Sequence, residues 1–156
     1  MDYLKGKTFV VTGATGRQGF AVSQHLIQNG ATVKGLTRNL QTEKAKRLSE
    51  IGVELVPGDM DNPDSLKTAF QGASWVYSVQ NPHTSSFVAE VRQGKNVADA
   101  AKFAGVKHII QGSAGLGLKT GMPSWDSKLQ IQEYIQSVGL PLTVLRPMAL
   151  MELITD

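Results

Sequence analysis

The sequence predicts an α/β chain built on a doubly wound, six-stranded parallel sheet with helices on both faces, and three observations carry that expectation. The first is a recurring unit in which a helical segment ends in glycine and a short apolar run follows. Gly30, Gly52, Gly72, Gly105 and Gly139 each stand at that hinge, where a glycine takes the left-handed conformation that closes a helix. The second is that the apolar runs are continuous rather than alternating, as strands covered on both faces require. The third is that the first of these runs breaks directly into glycines spaced Gly13-x-x-Gly16-x-x-Gly19.

Taken in order, the strands are expected at Thr8 to Thr12, Thr32 to Leu36, Glu54 to Val56, Trp75 to Val79, His108 to Gln111 and Thr143 to Leu145. Helices are expected between them at about Gln18 to Asn29, Thr42 to Glu50, Pro63 to Gln71, Ser86 to Ala104 and Ser124 to Val138. Asn62-Pro63 supplies a capping side chain followed by the residue best suited to the first helical position. Right-handed crossovers then give the strand order 3-2-1-4-5-6 of a Rossmann fold. No linker, repeat array or low-complexity segment divides the chain, so one domain is expected over residues 1–156.

In such a sheet the ligand lies across the carboxyl ends of the strands, which directs attention to the residues just beyond each one. The segment Thr12-Gly13-Ala14-Thr15-Gly16-Arg17-Gln18-Gly19 joins a strand to a helix, the context in which spaced glycines bring backbone N–H groups and a helix N-terminus against a pyrophosphate. After the second strand comes Arg38, where an enzyme using NAD carries a carboxylate for the ribose hydroxyl. A guanidinium there suits a 2′-phosphate, so NADP(H) is favoured over NAD, with Arg17 able to approach the same phosphate from the glycine loop. Asp59 after the third strand is placed to accept from an adenine amino group, with Asp61 or Asn62 capping the next helix. Gln80 and Asn81 after the fourth are placed either to line the cofactor's middle or simply to turn the chain.

A short-chain reductase site pairs a tyrosine with a lysine four residues on, so that the ammonium supports a phenolic proton donor. Here Lys128 is present and Ser124 stands where the tyrosine would be. Lys128 is therefore the one candidate catalytic residue, orienting a ribose or moving a proton itself, against the plainer possibility of a solvated lysine in a first helical turn. His25, His83 and His108 form no cluster, and no metal site is expected.

Charge and composition exclude rather than assign. With 16 basic and 13 acidic residues scattered along the chain, nothing masses into a nucleic-acid surface. There are no cysteines, hence no disulfides or thiolate chemistry, and no apolar run of membrane-spanning length. The polar start, Met1 to Lys7, does not resemble a signal peptide, and a cytoplasmic protein is expected.

Together the glycine segment, Leu36-Thr37-Arg38-Asn39, Gly58-Asp59-Met60, Ser127-Lys128 and Leu145-Arg146-Pro147 resemble the NmrA-like family of atypical short-chain dehydrogenase/reductases along nearly the whole chain. The resemblance implies a dinucleotide-binding domain that serves either a reductase of quinones or similar carbonyls or a redox sensor without turnover. It implies that Gly13, Thr15, Gly16, Arg17, Gln18 and Gly19 hold the pyrophosphate, Arg38 the 2′-phosphate, Asp59 and Met60 the adenine, and Gln80 and Asn81 the centre of the cofactor. Arg92 and Lys128 would line the nicotinamide side, and Pro147 would lie beside the ring. Members of that family continue into a substrate-binding lobe beyond the point reached here, so no separate substrate domain is expected. The sheet edge and the apolar tail Met148 to Ile154 point to a homodimer.

Overall fold

Residues 3–147 are described by a computed structural model. The chain alternates β1 (Thr8–Val11), α1 (Arg17–Gln28), β2 (Thr32–Thr37), α2 (Glu43–Glu50), β3 (Glu54–Pro57), α3 (Pro63–Ala69), β4 (Trp75–Ser78), α4 (Phe87–Phe103), β5 (His108–Gly112), α5 (Pro123–Ser137) and β6 (Leu142–Leu145). All pairings are parallel and the strand order is β3-β2-β1-β4-β5-β6, the arrangement expected from the sequence. The five hinge glycines all have φ between 70° and 92°. A short 3-10 turn at Pro82–Thr84, unforeseen in the sequence, follows β4.

Alternation within each strand divides the core in two. From β1, Phe9 and Val11 face α1 and α2 with Val33, Leu48 and Tyr77, while Val10 faces α3, α4 and α5 with Val76, Ile109, Val97 and Ile131. The second layer is held tight at Gly94 of α4, where an added Cβ would lie 2.6 Å from Ile131 of α5. That close approach fixes how α4 and α5 mesh, which matters for the polar residues one turn nearer the ligand end. Asn62 caps α3 as expected, accepting from the N–H groups of Asp64 and Ser65. The tail Met148 to Ile154, on which the expectation of a homodimer partly rested, lies outside the described residues.

Candidate functional site

The strand order reverses between β1 and β4, the switch point at whose carboxyl ends doubly wound sheets take their ligands. Thr12, fully buried, clamps its two sides. Its hydroxyl donates to the Val79 carbonyl at 2.9 Å and accepts from the Val79 N–H at 2.8 Å. Beyond it Gly13 turns at φ +59°, and the Gly16 N–H returns to the Gly13 carbonyl at 2.9 Å.

The three glycines of the loop do different work. A Cβ on Gly19 would lie 2.3 Å from the Gly13 oxygen and 2.7 Å from the Ala14 Cα, so only glycine lets α1 start this close to the strand. Gly16, by contrast, caps α1 with φ −85° and ψ 167°, a conformation open to any residue, and a Cβ there would meet only the Gly13 oxygen at 3.2 Å. Thr42, Asn62 and Ser86 cap α2, α3 and α4 with side-chain oxygens, whereas no side chain caps α1 and its first turn holds no acidic residue. The opening of α1, with Thr15, Arg17 and Gln18 around it, thus presents a positive dipole end with no side-chain cap, an arrangement chemically suited to an anion. The sequence suggests that valine at either Gly13 or Gly16 would leave the fold intact. For Gly13 the structure corrects this, because a β-branched residue is strained at φ +59° and its Cβ would press Val79 Cγ1 at 3.0 Å.

Arg38 follows β2, exposed and without a hydrogen bond or ion pair to a described residue. Asp59 uses Oδ1 to accept from the Asp61 N–H at 2.9 Å, leaving its second oxygen for a ligand. Met60 packs on the core, its carbonyl taken by Asn96 of α4 at 2.8 Å. Gln80 is buried with its amide nitrogen on Ser78 and Met60 and its main-chain carbonyl accepting from the Lys128 ammonium, while its side-chain Oε1 has no hydrogen-bond partner among the described residues. Asn81 accepts from the His83 N–H, serving the turn.

Arg92 has a partner of its own that the sequence does not announce. Its guanidinium is held by Asp61 at 2.7 Å, and Gln93 donates to the other oxygen of the same carboxylate at 2.8 Å. Those bonds from Gln93 and Arg92, with the more distant charge of Arg38, hold the Asp61 carboxyl below its ordinary range. Arg92 therefore ties the β3–α3 loop to α4. At about 100° of turn per residue, it points to the opposite side of α4 from Glu90.

It is Glu90 that meets the expected lysine. Lys128 lies in the second turn of α5, not the first, and is buried rather than solvated. Its ammonium is paired with Glu90 Oε1 and donates to the Gln80 carbonyl at 2.9 Å, while Ser127 donates to Glu90 Oε2 at 2.6 Å. Glu90 escapes a reading of local pattern because an acid in a first helical turn is ordinarily an exposed partner of the dipole. The available signal was periodicity: Glu90, Gly94, Val97 and Ala101 form one stripe of α4, and Lys128, Ile131 and Ile135 form one stripe of α5, and every member of both is buried.

Past β5 the glycine-rich loop is laid against α5. An added Cβ on Gly115 would strike the Trp125 ring at 2.6 Å, and Asp126 accepts from the N–H groups of Thr120 and Gly121, each at 2.9 Å. Those bonds, with the backbone N–H of Thr120 foremost, hold the Asp126 carboxyl low. An apolar cleft of about 230 Å³ opens between Phe87, Val88 and Val91 of α4 and Pro123, Ser127 and Gln130 of α5. Pro147 ends the described chain just beyond β6. No group of acidic or histidine side chains among the described residues could hold a metal ion, and no described helix is long and apolar enough to cross a membrane.

A parallel sheet in this order, with a glycine cradle and polar groups gathered at its switch point, defines a doubly wound Rossmann-type domain. The chain belongs to the NmrA-like family, which it matches over residues 5–155. It is 32% identical over 145 residues to the NmrA-like family domain-containing oxidoreductase FrzB of Cladobotryum sp., covering 85% of this chain and 43% of that one. The triphenylmethane reductase of Citrobacter sp., solved in complex with NADP(H), superposes with a TM-score of 0.84 at 32% identity, covering 96% of this chain and 52% of the reductase. NmrA, a negative transcriptional regulator solved in complex with NADP, gives 0.79 at 30% identity, covering 90% of this chain and 44% of the regulator. The chain thus spans about half the length of the relatives it matches.

Proposed function

We propose that this domain binds NADP(H) across the carboxyl ends of β1, β2 and β4 as the cofactor half of an oxidoreductase acting on a small carbonyl or quinone. The observation that carries the cofactor choice is Arg38, which follows β2 where NAD enzymes hold a carboxylate and which makes no hydrogen bond or ion pair to a described residue. The uncapped opening of α1 takes the pyrophosphate, Arg38 the 2′-phosphate, and Asp59 Oδ2 with Met60 the adenine. When bound, the cofactor supplies hydride at the nicotinamide C4. Lys128 has three N–H donors and spends two within the protein, so one remains for a ribose hydroxyl or the reacting oxygen. Thr12 and the buried strand ends hold that geometry rigid, and the cleft beside Ser127 suits a small, largely apolar acceptor.

Steady-state oxidation of NADPH with a panel of quinones and aldehydes, measured beside NADPH affinity on the same preparation, tests the reading. Lys128→Ala should lower turnover on the order of a hundredfold, the usual scale for a group acting in proton transfer, while affinity falls less than tenfold. Full activity in that variant would remove Lys128 from the chemistry. Tight binding with no turnover for any acceptor would favour the second reading, a cofactor sensor, which Ser124 in the place of a phenolic donor supports. The cytoplasmic setting belongs to the same proposal.

A homodimer is proposed as well, supported by β6, which among the described residues pairs only with β5 and leaves Leu145 47% exposed. Light scattering at micromolar concentration should give twice the chain mass. A monomer, unchanged when the residues after Pro147 are deleted, would exclude the idea.

A further inference from the structure

We infer that Glu90 is the positioning residue for Lys128, fixing the direction in which its ammonium meets the nicotinamide half of the cofactor. The inference rests on the NADP(H) reading above. Lys128 is held at both ends by three different elements. Its main-chain carbonyl accepts from Gln111 Nε2 of β5 at 3.0 Å, and its ammonium is shared between Glu90 of α4 and the Gln80 carbonyl just past β4.

Glu90 is itself wholly buried and spends both oxygens, one on the lysine and one on the Ser127 hydroxyl at 2.6 Å. An ion pair taken out of water gains little net stability over apolar residues of the same size, so such a pair makes poor sense as a staple between α4 and α5. Its geometry makes sense as aim. With a tenth of the Lys128 side chain still exposed, two fixed acceptors leave the third N–H a single direction, and that direction is set at the carboxyl end of β4. Gly94 supports the arrangement, since its lack of a side chain lets Ile131 approach and brings Glu90 and Lys128 into register one turn away.

A comparison of two ligands separates aim from architecture. NADPH carries the nicotinamide riboside, whereas adenosine 2′,5′-bisphosphate ends at its 5′-phosphate, reaching Arg38 and the glycine loop but not Lys128. By titration calorimetry on the full 156-residue chain, Glu90→Gln, which keeps the shape and removes the charge, should weaken NADPH about threefold to fivefold and leave the bisphosphate unchanged. Glu90→Asp keeps the buried charge but loses reach. It should show the same split, and it serves where Glu90→Gln does not fold. Lys128→Ala should lose about fivefold for NADPH alone, and adding Glu90→Gln to it should cost nothing more, because the second residue acts only through the first.

Wild-type affinities retained for both ligands in folded Glu90 variants would overturn the inference, and so would equal losses for both ligands, the mark of a structural pair. Failure of the unaltered chain to bind NADPH would overturn the cofactor reading and this inference with it.

Discussion

Replacing Arg38 by alanine should weaken NADPH binding on the order of tenfold to a hundredfold and leave NADH binding nearly unchanged. One charge-assisted contact to a phosphate contributes roughly 1.5 to 3 kcal/mol, and that range converts to the stated factors. The effect falls on one cofactor because the two differ only at the adenosine 2′ position, the end of the site that β2 delimits. Arg38 is exposed and holds no described side chain in place, so its removal should not disturb the fold. Calorimetric titration of both cofactors decides the matter: equal losses for NADPH and NADH would mean that Arg38 is not the discriminating residue.

Gly16→Val should abolish measurable cofactor binding, a loss on the order of a hundredfold or more, while the melting temperature falls by less than it does for Gly19→Ala. The position has an ordinary backbone conformation and its Cβ would meet a single neighbour, the Gly13 oxygen at 3.2 Å, so the new side chain stands where the pyrophosphate would approach the α1 amides. Gly19→Ala should behave differently. Its Cβ would sit 2.3 Å from a backbone oxygen that cannot swing aside, so α1 must shift, at a cost of about 1 to 3 kcal/mol and several degrees in melting temperature. Circular dichroism melts alongside binding isotherms separate the two. A Gly16→Val protein that binds normally, or a Gly19→Ala protein as stable as its parent, would show that the loop roles assigned here are wrong.

The parts of the site that were legible in the sequence are those whose signal is local. A glycine loop announces itself by spacing, a strand by a continuous apolar run, and Arg38 by its place one residue past β2. The roles within the loop were less legible, because Gly13, Gly16 and Gly19 are the same letter in one motif. What separates them is the distance from each missing Cβ to the next backbone atom. Gln80 shows a similar limit: nothing in its local sequence says that its amide nitrogen turns to Ser78 while its main-chain carbonyl holds the Lys128 ammonium.

By itself the sequence determined the order of strands, the choice of a doubly wound sheet and the place of the glycine turn between β1 and α1. Hydrophobic period and glycine placement act within a few residues of chain, and helices covering both faces admit few topologies. Tertiary structure alone decided which charges meet. Arg92 and Glu90 are two residues apart on α4, yet one ties down the β3–α3 loop through Asp61 and the other holds Lys128, 38 residues further along the chain. That division is set by the turn of the helix and by the approach of α4 to α5 at Gly94. A salt bridge across two helices depends on their packing distance and register, which no single segment of sequence contains.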